Sequence, residues 1–542
     1  MLRGGCTTIV ACTLLWGTLT VRVTLCYNRR LEDVVRRLFR RIEHEEMGTG
    51  RIVPTLLTLA IPAAASGVLQ TLFEVVDTLF ISWLGTTQIS GVAMAMPILF
   101  TVFGIGIAVG IGVAALVSRH LGANEPGEAR RVLNHALVMA LCVGASVSVM
   151  GYVFADNLLR LFGAPDELVE VARGYFSIVI LGGVLMHVGI ATDSALRAQG
   201  NTVTPMKVMA LGNVMNFVLD PLFIFGPGHV AAFAPQVPGL AAVLGFLTQH
   251  GLDMGPRGAA LATLLSRGSM TVVLLSRLWA KGSRLKPALP WQTRPRPSLR
   301  VIRRIYAIGL PGTVGHLSMA VAGAIINVLL FRIIHRPVAV GALAITMRLE
   351  MFGFVLVFAM LSAVVPMVGY NLGARQLDRC KQTIQAACAI AAAVMGWVGV
   401  VLVAAPHVFI GLFSQDPEVL SIGTQYLSVN CWTYAMIGCS IMLSAGFQGL
   451  GRTHYAMYSH LLRALIVRVP AAWVLASVWG LGGLWWSFPM SLIASLMLSV
   501  SLMRRLFRRL EQLTPAAGVT PEELRAIALA SDGPGEADGP AI

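Results

Sequence analysis

The stretch Gly200-Asn-Thr-Val-Thr-Pro-Met206 returns about 250 residues later as Gly451-Arg-Thr-His-Tyr-Ala-Met457, with Gly, Thr and Met at matching positions. Leu121-Gly122-Ala123 returns in the same way as Leu372-Gly373-Ala374. Further matches at this spacing join Leu161-Phe162 to Leu412-Phe413, Glu167 to Glu418 and Tyr175 to Tyr426. Self-similarity at a fixed spacing indicates a duplicated unit, and two related apolar halves are a design of secondary transporters, with the substrate path between the halves.

The composition is that of a membrane protein. Of the 542 residues, 56% are hydrophobic and 12% are charged, whereas soluble domains carry roughly 25% charged residues. We attribute the formal charge of +15 to Lys and Arg in cytoplasmic loops, and we expect no nucleic-acid partner. The chain has no Gly-x-x-x-x-Gly-Lys-Ser/Thr phosphate loop, and its cysteines lack metal-ligand spacing, so neither an ATPase nor a structural metal is predicted.

About twelve membrane-spanning helices are predicted from apolar runs of roughly 20 residues, six in each half. Their predicted limits are 54–82, 88–118, 132–155, 175–196, 207–225, 256–278, 305–334, 338–369, 384–405, 424–446, 458–479 and 484–503. The predicted fold is therefore an all-α integral membrane protein with an N-lobe at 51–280 (helices 1–6), a linker at 281–304 and a C-lobe at 305–505 (helices 7–12).

The charged loops predict the orientation. The linker 281–304 contains eight Lys and Arg residues and no Asp or Glu, which places it in the cytoplasm. With twelve spans both termini face the cytoplasm, and we expect a bacterial inner membrane. Within an N-terminal extension at 1–50, residues 6–27 are a signal peptide, a thirteenth helix or sequence upstream of the true start, followed by an interfacial helix. Residues 506–542 are expected to form a disordered cytoplasmic tail.

Polar side chains inside the spans are the candidate functional residues, because charged groups are costly in a bilayer. Glu74 and Asp77 are three residues apart on helix 1, Asn216 and Asp220 are four apart on helix 5, and Thr263 lies on helix 6. At 1.5 Å per residue, Asp77, Asp220 and Thr263 each lie about 9–11 Å from the outer end of their helix. Three helices thus supply polar groups at one depth, which predicts a buried proton or cation site, with Glu74 as an accessory residue.

Two prolines are predicted to kink helices of the N-lobe. Pro221 cannot donate to the carbonyl of Phe217, so that oxygen is free to bind a cation next to Asp220; a packing kink is the alternative explanation. Pro62 is expected to kink helix 1. In the second half, Asp77 aligns with Ile326 or Asn327, and Asp220 aligns with an apolar residue. We therefore expect the polar site in the N-lobe alone.

Two further carboxylates have competing explanations. Glu350 lies near the middle of helix 8, where it either contacts a cationic substrate or balances Arg348. Asp193 lies near the cytoplasmic end of helix 4, and its proximity to Arg197 predicts a surface ion pair.

Several motifs together resemble the multidrug and toxic compound extrusion (MATE) family, over about Met47 to Arg505. They are Ala60-Ile61-Pro62 through Val76-Asp77-Thr78, Leu121-Gly122-Ala123, Leu196-Arg-Ala-Gln-Gly-Asn-Thr202, Asn216-Phe-Val-Leu-Asp-Pro-Leu-Phe-Ile-Phe-Gly226, Gly258-Ala-Ala-Leu-Ala-Thr263 and Gln448-Gly-Leu-Gly-Arg-Thr453. The resemblance implies two six-helix lobes that form a V. It also implies export of amphipathic, often cationic compounds in exchange for H⁺ or Na⁺, with no other cofactor.

Within that family the chain resembles the prokaryotic branch of the DinF type. The resemblance implies that Asp77 is the coupling carboxylate of helix 1 and that Asn216, Asp220 and Thr263 are its partners for H⁺ or Na⁺. The chain departs from the pattern at Glu74, and in the loop Gly226–Gly255, which is about two dozen residues longer than its counterpart in the second half.

Three functions are compatible with the sequence. The first is an ion-coupled efflux antiporter, acting as a monomer on small amphipathic molecules among membrane lipids. The second is a lipid-linked oligosaccharide flippase of the same superfamily, against which the acidic residues of the N-lobe argue. The third is an integral-membrane transferase acting on lipids, which would need acidic or His clusters on a loop at the membrane edge. We find none and expect no enzyme activity.

Overall fold

The computed structural model describes residues 39–40, 42, 45–227, 241–280, 283, 285–287, 298–332 and 337–512. The predictions for residues 6–27, for most of the interfacial helix and for residues 513–542 of the tail fall outside the described residues. Most of the basic linker also lies outside them. The predicted tail began at residue 506, but residues 506–512 continue the last helix, so that boundary was wrong.

The regular structure of the described chain is α-helical, apart from one 3₁₀ turn and one π-helical turn. The N-lobe contains α1 (Ile52–Ser82), α2 (Thr86–Gly122), α3 (Pro126–Val153), α4 (the pair Asp166–Leu181 and Gly183–Ala198), α5 (Val203–Ile224) and α6 (Pro256–Leu278). The C-lobe contains α7 (Leu299–Arg332), α8 (Pro337–Gly373), α9 (Leu377–Ala404) and α10 (the pair Pro417–Asn430 and Tyr434–Gly449). The last region, Thr453–Gln512, contains α11 and α12. Short helices at Glu46–Thr49, Ala155–Leu161, Ala241–Gln249 and Pro406–Gly411 lie before or between them.

Two interruptions bring the number of spans to twelve. Within the described residues, ten helices are long and apolar enough to cross a membrane, and the α4 pair, bent by 47°, makes one more. The region Thr453–Gln512 has 60 residues, which at 1.5 Å each is about 90 Å, or three times the apolar thickness of a bilayer. Gly480 breaks this region with φ 59° and ψ −138°, which separates α11 from α12. The predicted twelve-helix fold is confirmed, although α4 begins at Asp166 instead of residue 175.

The backbone repeats the sequence duplication in detail. Gly200 and Gly451 have φ of 81° and 72°, a region that glycine enters without steric cost. Asn124 and Arg375 both have φ of 58°, one residue after the two Leu-Gly-Ala motifs. The amide of Glu125 donates to the carbonyl five residues earlier at 2.8 Å, and the amide of its counterpart, residue 376, does the same at 2.8 Å. The two lobes therefore share one set of helix-ending turns.

The lobes touch at the end of the bundle that carries the linker, here called the linker end. A Cβ added to Gly122 of α2 would lie 1.9 Å from the carbonyl oxygen of Tyr370, and a Cβ added to Gly373 of α8 would lie 1.9 Å from that of Arg119. The two contacts are equivalent under the repeat. The glycines at these positions thus allow α2 and α8 to approach backbone to backbone across the lobe interface.

Replacing Gly122 by Ala is expected to separate the lobes at the linker end, because the added methyl group overlaps the Tyr370 carbonyl. Overpacking of this kind costs about 1–3 kcal/mol. Spin labels at the exposed residues Arg130 and Asp378, in a background with native cysteines replaced by Ser, would report the change as a longer inter-lobe distance. Gly127→Ala is the control, since a Cβ there has no neighbour within 4 Å. An unchanged distance in the Gly122 variant would contradict this view of the interface.

Candidate functional site

Three helices of the N-lobe bring four of the predicted site residues together. Asp77 of α1 is 5% exposed and Asp220 of α5 is 0% exposed. The hydroxyl of Thr263 on α6 donates to Oδ1 of Asp77 at 3.3 Å. The amide Nδ2 of Asn216 donates to Oδ1 of Asp220 at 3.0 Å. The common depth inferred from the sequence therefore corresponds to direct contact between α1 and α6 and within α5.

Two oxygens of this cluster lack a hydrogen-bond donor in the described part of the chain. Among the described residues, Oδ2 of Asp220 and Oδ1 of Asn216 are both buried without a partner. The two carboxylates are close enough for each to act on the other electrostatically. Buried polar atoms are normally hydrogen-bonded, so an orphaned carboxylate oxygen beside an orphaned amide oxygen is a place for a proton or a small hard cation.

The hydroxyl of Tyr175, which is not among the predicted site residues, completes the surroundings of Asp77. Tyr175 of α4 is 3% exposed and hydrogen-bonds the Asp77 carboxylate through its side chain. The duplication could have indicated Tyr175 as a candidate, because Tyr175 matches Tyr426 at the common spacing.

Aromatic rings cover the cluster on the side away from the linker end. Phe80 of α1 packs against Phe217 at 5.9 Å and against Phe225 at 6.2 Å between ring centroids. Trp83 contacts Phe80 at 5.3 Å. This apolar cover lowers the local dielectric constant. In such surroundings two neighbouring carboxylates cannot both stay charged without a compensating cation.

The predicted prolines lie inside continuous helices. Pro221 is in α5, which ends three residues later at Ile224, and it has no N–H to donate to the carbonyl of Phe217. Pro62 is buried within α1. Their proposed roles as kinks and as the source of a free carbonyl stay predictions.

The two accessory carboxylates have other surroundings than expected. Glu74 is exposed and accepts a hydrogen bond from Gln70 Nε2 at 2.6 Å, so it does not join Asp77 in the buried cluster. Glu350 is buried, and Arg348 is exposed, so the expected balance between these two residues is wrong. Glu350 instead accepts hydrogen bonds from the hydroxyls of Tyr426 at 2.8 Å and Tyr434 at 2.7 Å. Glu350 and Arg348 do not pair because side chains two residues apart on a helix point to different faces.

A cavity of about 570 Å³ lies between the N-lobe and helices α8 and α10 of the C-lobe. Its size suits a drug-sized molecule. Most of its wall is apolar, and it includes three methionines, Met186, Met209 and Met270. Asp193 and Arg197 form the predicted ion pair at 2.8 Å, but the pair lines this cavity instead of an outer surface.

No group of three or more His, Cys, Asp or Glu side chains that could hold a metal ion occurs in the described part of the chain. The candidate site therefore offers carboxylate, amide and hydroxyl oxygens, which suit a proton or an alkali cation in transit.

A family model described as MatE matches residues 62–222 and 311–474, more than half of the chain, with one match in each lobe. The chain belongs to the MatE family. The match confirms the resemblance drawn from the motifs. As a member of this family, the chain is a multi-pass membrane transporter and not an enzyme.

Relatives of this MatE family chain are similar over nearly their whole length. An FAD transporter of Shewanella oneidensis is 26% identical over 437 residues, 80% of this chain and 91% of the relative. The multidrug export protein MepA of Staphylococcus saprophyticus is 23% identical over 463 residues, 85% of this chain and 94% of the relative. A crystal structure of MATE in the bent conformation superposes with a TM-score of 0.77 at 23% identity, covering 87% of this chain and 99% of that one. The fold is thus the two-lobed V of this family.

Proposed function

We propose that this chain is an ion-coupled multidrug efflux antiporter, which exports amphipathic, often cationic compounds in exchange for H⁺ or Na⁺. The observation that carries the proposal is the buried pair Asp77 and Asp220, together with the oxygens of Asp220 and Asn216 that have no partner among the described residues. The name of the MepA relative supports multidrug export, and membership of the MatE family supports transport.

The coupling we propose depends on charge. With Asp77 and Asp220 both ionised, the cluster holds two negative charges in an apolar surrounding and attracts a cation. Binding of H⁺ or Na⁺ removes the repulsion between α1 and α5 and allows α1 to repack, with Pro62 as the bending point. Such repacking changes the adjacent cavity, so cation and substrate favour different states of the N-lobe.

The basic linker supports an orientation with the linker end in the cytoplasm. We propose a bacterial inner membrane, with a monomer as the transporting unit. Contact between the lobes at the linker end then closes the cytoplasmic side, and the cation reaches Asp77 from outside.

The proposal is tested by efflux of a fluorescent amphipath from cells that express the protein, with the H⁺ and Na⁺ gradients collapsed separately. Antiport requires that export stop when one of the two gradients is removed. Export that survives the loss of both gradients would refute ion-coupled antiport.

A further inference from the structure

One arginine in the cavity wall has no counter-charge bound to it. Arg267 lies on α6, four residues beyond Thr263, and it lines both the 570 Å³ cavity and a small void next to Thr263. Its guanidinium carbon lies 4.8 Å from the ring centroid of Phe73. Among the residues that the structure describes, Arg267 makes no hydrogen bond and no ion pair. Glu74 and Asp77 act on it only through longer-range electrostatics.

The charge of the cavity wall is positive. In the described part of the chain, the charged residues that line the cavity are Asp193, Arg197 and Arg267. Asp193 and Arg197 neutralise each other across 2.8 Å, so the guanidinium of Arg267 leaves a net charge of +1. The carboxylates of Asp77 and Asp220 are not part of the wall. A substrate inside the cavity therefore meets the guanidinium of Arg267 without a counter-charge, whereas the carboxylate of Asp193 is already neutralised by Arg197.

An arginine in this setting is suited to hold an anion. Its planar fork binds a carboxylate or phosphate through two parallel hydrogen bonds, and stacking on an aromatic ring fixes the plane of the fork. The Arg267 side chain is half-buried in the cavity wall, so a charge-assisted pair is stronger here than on a fully exposed surface. The surrounding methionines adapt to an apolar body of varied shape.

We propose that Arg267 anchors an anionic group of the substrate, so that the cavity prefers zwitterionic and acidic amphipaths over compounds that carry positive charge alone. The chemical class is an apolar, drug-sized molecule with a carboxylate, phosphate or sulfonate. This inference rests on the proposed transport function and narrows its substrates: the preferred amphipaths carry an anionic group, with or without a cationic one. Arg267 acts as a specificity-determining residue, beside the carboxylates that bind the cation.

A matched pair of ligands tests the charge preference. Ciprofloxacin is a zwitterion with a free carboxylate, and its methyl ester is a cation of nearly the same shape. Binding of both to the purified protein in detergent is measured by fluorescence, for the parent protein and for Arg267→Gln and Arg267→Lys. Arg277→Gln is the control, because Arg277 is an exposed arginine on the same helix.

The parent protein and the control are expected to bind the free acid at least about tenfold more tightly than the ester. Arg267→Gln should remove this preference, and Arg267→Lys should keep part of it, since Lys retains the charge but loses the fork. Equal affinities in the parent, a preference for the ester, or an acid preference that survives Arg267→Gln in folded protein would each overturn the proposal.

Two further measurements distinguish this proposal from the antiport proposal and from binding of a lipid headgroup. Because binding is measured without a gradient, the acid preference is scored independently of antiport; loss of gradient-dependent efflux with the preference intact would refute only the transport proposal. Adding dioleoylphosphatidylglycerol to the detergent distinguishes a free amphipath from a lipid headgroup, which carries the same anionic chemistry. The preference should persist in the presence of the lipid, and complete displacement of the acid by the lipid would overturn the proposal.

Discussion

Replacing Asp77 by Asn is expected to reduce substrate export to the background of cells without the transporter, while the protein still folds and reaches the membrane. The amide keeps the size of the side chain and can still accept the hydrogen bond from Thr263, which lies at 3.3 Å. It cannot take up a proton or balance the charge of a cation, so the coupled step fails. The measurement is efflux of a fluorescent substrate, normalised to the amount of protein in the membrane.

Asp166→Asn is the matched control for this substitution. Asp166 begins α4, and its side chain is 85% exposed, so the same chemical change occurs there outside the cluster. Its ion pair with Arg160 is of the exposed kind that contributes little to stability. Efflux at the parental rate by a well-expressed Asp77→Asn variant would remove Asp77 from the coupling site.

The second large effect is expected for Asp220→Asn, which should also abolish export. Asp220 is fully buried, and no described residue bonds one of its oxygens, so the amide would remove the charge for which the site is built. The double variant with Asp77→Asn should be little worse than either single variant, because residues that act as one unit have non-additive effects. Efflux and membrane abundance are measured for all three variants.

Two partial losses that multiply in the double variant would show that the carboxylates act independently. Asn213→Asp provides a useful comparison on α5, since it adds a carboxylate one turn from Asn216, where the side chain is half-buried and donates to the carbonyl of Met209. Restoration of export by Asp220→Asn combined with Asn213→Asp would show that the exact position of the charge is unimportant, contrary to our account.

Much of the fold was predictable because apolar length and loop charge are strong signals in membrane proteins. The twelve spans and the two lobes follow from them, and the break before residue 484 corresponds to Gly480. Details at helix ends were less predictable. The bend between the two parts of α4 and the early start at Asp166 depend on packing against neighbouring helices, which hydropathy does not record.

The site was predictable from sequence where it contains charged side chains inside a membrane span, because such groups are energetically costly there. Asp77 and Asp220 were predictable because buried carboxylates are exceptional in a bilayer, and Thr263 was predictable because it lies at the same depth. Arg267 was missed, although it lies well inside the predicted span 256–278 and the same rule applies to arginine. The partners of Glu350 were missed for another reason, because two tyrosines on α10 meet it only after the C-lobe has folded.

In the proposed mechanism, cation and substrate oppose each other's binding through Asp77. Linkage requires that a cation which favours one state of the N-lobe lower the affinity of a substrate which favours the other. The most direct measurement is substrate affinity of the purified protein as a function of pH and of Na⁺ concentration. It uses a substrate whose own charge does not change over the pH range.

We predict that substrate affinity falls as pH decreases or as Na⁺ rises, and that this dependence disappears in Asp77→Asn. The Asp166→Asn control should retain it. Substrate affinity that stays constant in the parent protein across both titrations would contradict the antiport mechanism.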